Sequence, residues 1–161
     1  MDTWRSTDDQ RRLLQVIQPA LIGLIDGTIS TLAPVFATAY LATTRSALLV
    51  GLAAALGAAI SMGLSEGLSD DGVITGRGTS AVRGFITGLA TFVGGTLHAL
   101  PFLIGERAVA LRVAYVVVGI ELIVIAWIRK RYLRVSLAGS LIQVTLGGIL
   151  VALVGVVLGH A

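Results

Sequence analysis

Residues 137–159 read LAGSLIQVTLGGILVALVGVVLG, and no side chain in this run carries a charge. At a rise of about 1.5 Å per residue, a helix of that length crosses the roughly 30 Å hydrocarbon core of a bilayer. Working back along the chain, further apolar runs fall at 108–128, 83–104, 47–68 and 20–40, the last three of these interrupted by single polar residues. Five runs predict an all-α integral membrane protein of five transmembrane helices. Composition points the same way, with 55% hydrophobic and only 13% charged residues and a mean hydropathy of +0.91. Soluble domains carry roughly a quarter charged residues. Cysteine is absent, so disulfides and thiolate metal sites are excluded, and any metal chemistry falls to carboxylate, carbonyl, thioether or imidazole groups.

A net charge of +3 and a pI near 10 fit a nucleic-acid binder in the abstract. Here, however, the basic residues lie between the apolar runs, where membrane orientation explains them, and no nucleic-acid partner is expected. Arg5, Arg11, Arg12, Arg77, Arg83, Arg129, Lys130, Arg131 and Arg134 fall on one side of the five alternating spans. Arg45, Arg107 and Arg112 fall on the other. The positive-inside rule then sets the amino terminus in the cytoplasm and the carboxyl terminus outside. Residues 1–17 (MDTWRSTDDQRRLLQVI) form a charged cytoplasmic or interfacial segment, with Thr7 and Gln10 spaced as a capping box. Residues 18–161 form the five-helix domain. The first apolar run is too long for a signal-peptide core and lacks a small-residue cleavage site, so it is expected to be retained. Trp127 and Tyr132 fit an interfacial aromatic anchor. The longest connection, SDDGVITGRGTSAVRG at 69–84, reads as turn rather than domain.

Three carboxylates fall within or at the edge of these spans: Asp26, Glu66 and Glu121. An acid at membrane depth costs about 2.5–3.5 kcal/mol on insertion scales unless it is paired, hydrated or protonated, and so is a functional candidate. The competing reading is an interhelical hydrogen bond from a protonated acid. Counted from the cytoplasmic ends, Asp26 and Met62 each lie roughly 9 Å deep and Glu121 roughly 12 Å. Glu66 follows Met62 by one turn on the same face. In IDGTISTLAP (25–34), Pro34 cannot bond the Ser30 carbonyl, so Asp26, Ser30 and a freed carbonyl are candidates to line a short pathway; an ordinary proline kink is the alternative. Oxygen ligands with one thioether suit a cation such as Fe²⁺ or Mn²⁺, although a lone Met in an apolar helix is ordinarily packing. His98, in GGTLHALP (94–101), is a candidate proton carrier or a packing histidine. Asp70 and Asp71 stand at the cytoplasmic mouth, where SDDG is also a normal helix-ending turn. Gly23/Gly27, Gly63/Gly67, Gly84/Gly88 and Gly155/Gly159 match the spacing for close helix contact. The first two pairs flank the key acids and are expected to draw spans 1 and 2 together. Neither a nucleophile–base pair nor a metal triad for an enzyme is visible.

IDGTISTLAP followed by AAISMGLSEGLSDDG (58–72) resembles the vacuolar iron transporter family, across the whole membrane region. QPALIGLIDG, SDDG, HALP and AWIRKRY are similar to stretches in the membrane domain of bacterial membrane-bound ferritin-type exporters, the erythrin–vacuolar iron transporter group. The resemblance implies proton-coupled export of Fe²⁺, often Mn²⁺, across a bacterial inner membrane by a homodimer whose pathway lies near the subunit interface. No permanent cofactor is implied, the metal being cargo. By motif, Asp26 corresponds to the acidic translocation residue of span 1, and Met62 and Glu66 to the methionine and glutamate of the SMG-x-x-E stretch. Ser30, Glu121, Asp70, Asp71 and His98 are expected as pathway or relay groups. The glutamate-rich cytoplasmic helical domain of plant-type members is replaced by a short loop, and the ferritin-like domain of the bacterial exporters is absent from this chain. The sequence therefore reads as either an excised membrane domain or a stand-alone member. The alternative function is a non-transporting membrane anchor or assembly subunit whose acids are interhelical glue.

Overall fold

The computed structural model describes residues 7–133 and 135–160. Expectations for residues 1–6, and for Arg134, lie outside the described residues. Five long helices account for most of the described residues: α1 Thr7–Leu41, α2 Thr44–Ser69, α3 Ser80–Leu97, α4 Arg107–Leu133 and α5 Leu137–Leu158. Among the described residues there is no strand.

Local chemistry sets the boundaries. Thr43 accepts a hydrogen bond from the Ser46 amide at 3.1 Å and Ser136 one from the Gly139 amide at 3.0 Å, capping α2 and α5. Glu106 accepts from the Ala108 and Val109 amides, each at 2.8 Å, and caps α4. The third run, expected as one span over 83–104, stops as an α-helix at Leu97 and tightens into a 3-10 turn at Leu100–Leu103. Pro101 lacks the amide that would continue the helix. In α1 the helix is continuous through Pro34, but it widens into a π turn at Leu13–Ile17. There Gln15 Nε2 donates to the Gly76 carbonyl at 3.3 Å, tying α1 to the α2–α3 loop.

Glycine contacts define the topology. Gly23 abuts the Thr87 carbonyl and Gly27 the Thr91 carbonyl, so α1 and α3 run parallel. Gly84 meets the Gly63 carbonyl and Gly88 the Ala59 carbonyl, so α2 runs antiparallel to α3. Gly147 lies against Ile29 and Gly155 against Ala33, so α5 is parallel to α1. Both glycine pairs expected to join spans 1 and 2 are thus taken up by α3. At Gly23, Gly27, Gly84 and Gly88 the facing backbone leaves no room for a Cβ, whereas Gly67 has ordinary clearance. Helices α1 and α2 meet directly further on, where Gly51 packs on Val35 and Ala99.

Four helices, α1, α2, α4 and α5, are long and apolar enough to cross a membrane; α3 is shorter and carries Arg83 in its first turn. The protein is apolar outside, and its mainly apolar interior also holds a set of polar groups. Leu56, Ile60, Leu64, Ile123, Leu150 and Val157 are exposed, whereas Thr28, Thr31, Arg83, Thr87, Thr91, His98, Glu121 and Ser140 are buried. A bundle in water exposes fewer large apolar side chains than this. In hydrocarbon, buried polar groups and small residues are what hold helices together.

Candidate functional site

The expected site residues separate into three places. Asp26 is half-buried on α1, between exposed Ile22 one turn before and exposed Ser30 one turn after. Its neighbours Gly23 and Gly27 face α3, and Ile29 and Ala33 face α5, which leaves Asp26 at the edge of an open strip. Among the described residues it forms no hydrogen bond or ion pair. It is the one acid in the apolar stretch of α1 from Gln18 to Leu41.

The second place is the end of α2. Glu66 Oε1 accepts from Arg77 Nη2 at 2.7 Å and from Arg83 Nε at 2.8 Å. Arg83 is fully buried, and its other hydrogens go to the Gly78 carbonyl at 2.8 Å and the Asp70 carbonyl at 2.7 Å. Asp70 Oδ2 lies 3.6 Å from Arg83 and 4.0 Å from Arg77. Asp70 also accepts from Thr75 Oγ1 at 2.6 Å and from the Gly72 amide at 2.8 Å. Those hydrogen bonds, from Thr75 first, hold its carboxyl below the ordinary aspartate value, with the arginines adding to the effect. Two acids against two guanidiniums make the cluster charge-balanced. Asp71 is exposed and accepts from the Val73 amide at 2.9 Å, while Met62 is half-buried one turn before Glu66. Gly72 adopts φ +82°, and its neighbour in space is the Gly78 carbonyl, so the SDDG turn requires glycine there.

The third place is the core. His98 is fully buried, with Nδ1 3.0 Å from Glu121 Oε2 and Nε2 2.9 Å from Thr31 Oγ1. Glu121 is 5% exposed, and its Oε1 is buried without a hydrogen-bond partner, as is Thr28 Oγ1.

The structure therefore brings Glu66 together with Asp70, and His98 with Glu121. No polar contact joins Asp26 to Met62 or Glu66, and among the described residues no group of three or more His, Asp or Glu is placed to hold a metal ion. Arg77, Arg83 and Thr31 are participants that the sequence does not single out. Arg83 counted only as an orienting charge, although an arginine opening an apolar run is itself a sign of a buried partner. Thr31 carried no signal, since its partner is 67 positions away.

No family model matches the chain, and no curated protein or solved structure matches it either.

Proposed function

We propose that the protein spans a membrane with five helices, as a homodimer, and exports a divalent transition-metal cation, Fe²⁺ or Mn²⁺, from the cytoplasm in exchange for protons. The observation that carries this reading is Asp26. A carboxylate in an apolar helix, with neither a hydrogen bond nor an ion pair, is costly to keep unless a mobile cation or proton compensates it. Its place beside an open strip of α1 suits a pathway completed by a second copy. The resemblance to the vacuolar iron transporters, through IDGTISTLAP and SMGLSEG, supplies the cargo class and the direction.

Apolar surface on four helices long enough to cross a bilayer supports the membrane location. The shorter α3 would then pack one face on the glycines of α1 and α2 and turn exposed Phe85, Leu89 and Val93 to lipid. In mechanism, ionised Asp26 takes the cation from the cytoplasmic side and releases it when a proton arrives from the outer side. Met62 is the soft donor nearest the cytoplasmic end. Glu66 takes part only when Arg77, the more exposed of its two guanidinium partners, gives way.

A second reading, the non-transporting anchor, draws support from the same pairs: Glu66 is neutralised by arginines and Glu121 is bonded to histidine. The two readings part in purified protein reconstituted into vesicles. Transport predicts Fe²⁺, Mn²⁺ or Co²⁺ movement with an opposed pH change in the lumen; the anchor predicts neither.

A further inference from the structure

The core triad is chemically incomplete as a static hydrogen-bond chain. The Thr31 hydroxyl has one hydrogen. It faces the Gly27 carbonyl at 2.7 Å, the Gly95 carbonyl at 3.5 Å and His98 Nε2 at 2.9 Å. One hydrogen cannot serve two close acceptors, so the contacts are all satisfied when Nε2 itself bears a hydrogen and donates to Thr31, which then donates to Gly27. That leaves the 3.0 Å contact between His98 Nδ1 and Glu121 Oε2, which also needs one hydrogen. It sits either on Nδ1, giving imidazolium and carboxylate, or on Glu121, giving two neutral groups. Both arrangements hold the same number of protons and have zero net charge.

Loss of one proton changes the chain in a defined way. A bare Nδ1 cannot face a carboxylate, so the remaining ring hydrogen must sit on Nδ1. Nε2 then becomes an acceptor, and the Thr31 hydroxyl must turn from the Gly27 carbonyl to Nε2. The core now carries a net negative charge, and the Gly27 carbonyl has lost its side-chain donor. Gly27 is the residue that follows Asp26.

We propose that Thr31, His98 and Glu121 form a one-proton binding site, separate from Asp26, whose occupancy is transmitted to α1 through the Thr31–Gly27 hydrogen bond. Glu121 Oε1, buried and unpartnered, is the oxygen at which an arriving water or proton is received, since a bare acceptor at that depth is costly. The surroundings favour a two-state unit. On the elements packed around it, α1 carries Asp8, Asp9, Arg11 and Arg12 in its first turns and Asp26 and Tyr40 further along, α3 carries Arg83, and α4 carries Arg107, Arg112 and Tyr115 in its first half and Arg129, Lys130, Arg131 and Tyr132 at its end. Helix α2 has only Arg45 and Glu66, at its ends, and α5 has no titratable side chain within its described length. No other charge pair is built into the centre. Protons bound by such a pair belong to the pair and not to either residue.

As a coupling site it rests on the transport reading; as a proton site it does not. The chain has two histidines, and His160 is exposed, so a His160→Ala protein labelled with ¹⁵N-histidine reports His98 alone by NMR in nanodiscs. The expected result is a hydrogen on Nε2 at neutral pH that is absent once one proton is lost on alkaline titration, leaving the ring hydrogen on Nδ1, and Glu121→Gln abolishes that change. A ring with no hydrogen on Nε2 at any pH, or one that never titrates while the protein is folded, overturns the site. In vesicles, Glu121→Gln is expected to keep cation movement and lower the proton-to-cation ratio; an unchanged ratio overturns the coupling role. If wild-type vesicles move no cation while the NMR transition appears, the transport reading fails and the proton site stands.

Discussion

Glu66 Oε1 receives two guanidinium groups at once, Arg83 Nε at 2.8 Å and Arg77 Nη2 at 2.7 Å. The two arginines enter from the loop after α2 and from the first turn of α3, so this one oxygen ties three consecutive parts of the chain. Arg83 spends its remaining hydrogens on loop carbonyls, which fixes the loop from inside. The result is a neutral latch at the end of the bundle that also carries the π turn of α1, through Gln15 and Gly76.

The latch is expected to respond asymmetrically to mutation. Arg83→Met strips Glu66 and two carbonyls of donors in a buried setting, a loss of about 3–5 kcal/mol by analogy with broken buried pairs. Adding Glu66→Gln to it should recover part of that loss. Thermal unfolding of the two single variants and the double variant in one detergent checks this; strictly additive losses would mean the two groups are not coupled.

Acid should loosen the α2–α3 loop through Asp70. Its carboxyl titrates below the unfolded value of 3.8 because the native state offers Thr75, Gly72 and the arginines to the charged form. The stabilisation is therefore fully present above about pH 4 and is lost as pH falls through the lowered native value. Hydrogen exchange at the Gly72 amide should accelerate over that acid range, and Asp70→Asn should flatten the response.

Glycine substitutions separate contact from propensity. A Cβ at Gly27 would run into the Thr91 carbonyl oxygen, and backbone cannot step aside, so Gly27→Ala should cost about 1–3 kcal/mol. A Cβ at Gly57 meets nothing within 4 Å, so Gly57→Ala should stabilise the monomer's helix by up to about 1 kcal/mol. Unfolding in detergent checks the signs; equal effects at both positions would mean that α1 and α3 are not in contact.

Local signals carried most of the helices and little of the site. The uncharged run at 137–159 and the apolar run at 108–128 became α5 and α4 because length and composition alone decide such segments. SDDG became the turn it reads as, with Asp70 and Asp71 accepting amides two residues on. The run at 83–104 misled because its apolar count hid Pro101, which ends regular helix. The glycine pairs were legible as contact faces but not in their partner, since spacing says that a helix is approached and not by which one. Asp26 and Met62 read at equal depth, with Glu66 one turn nearer the cytoplasmic mouth, and depth carries no azimuth. Asp26 turned out to sit on the open edge of α1, whereas Glu66 is held by arginines 11 and 17 positions further along. The His98–Glu121 pair, 23 positions apart, was visible only as two isolated polar groups.

The central claim is that Asp26 carries a transported cation. The most direct measurement is uptake of Mn²⁺ into vesicles holding purified protein, with luminal pH recorded, for the wild type beside Asp26→Asn and Asp26→Ala at matched incorporation. The expected result is robust uptake with an opposed proton movement in the wild type, and loss of both by at least tenfold in each variant, with helical content unchanged. Equal uptake by the Asn variant, or no uptake by any of the three, would contradict it.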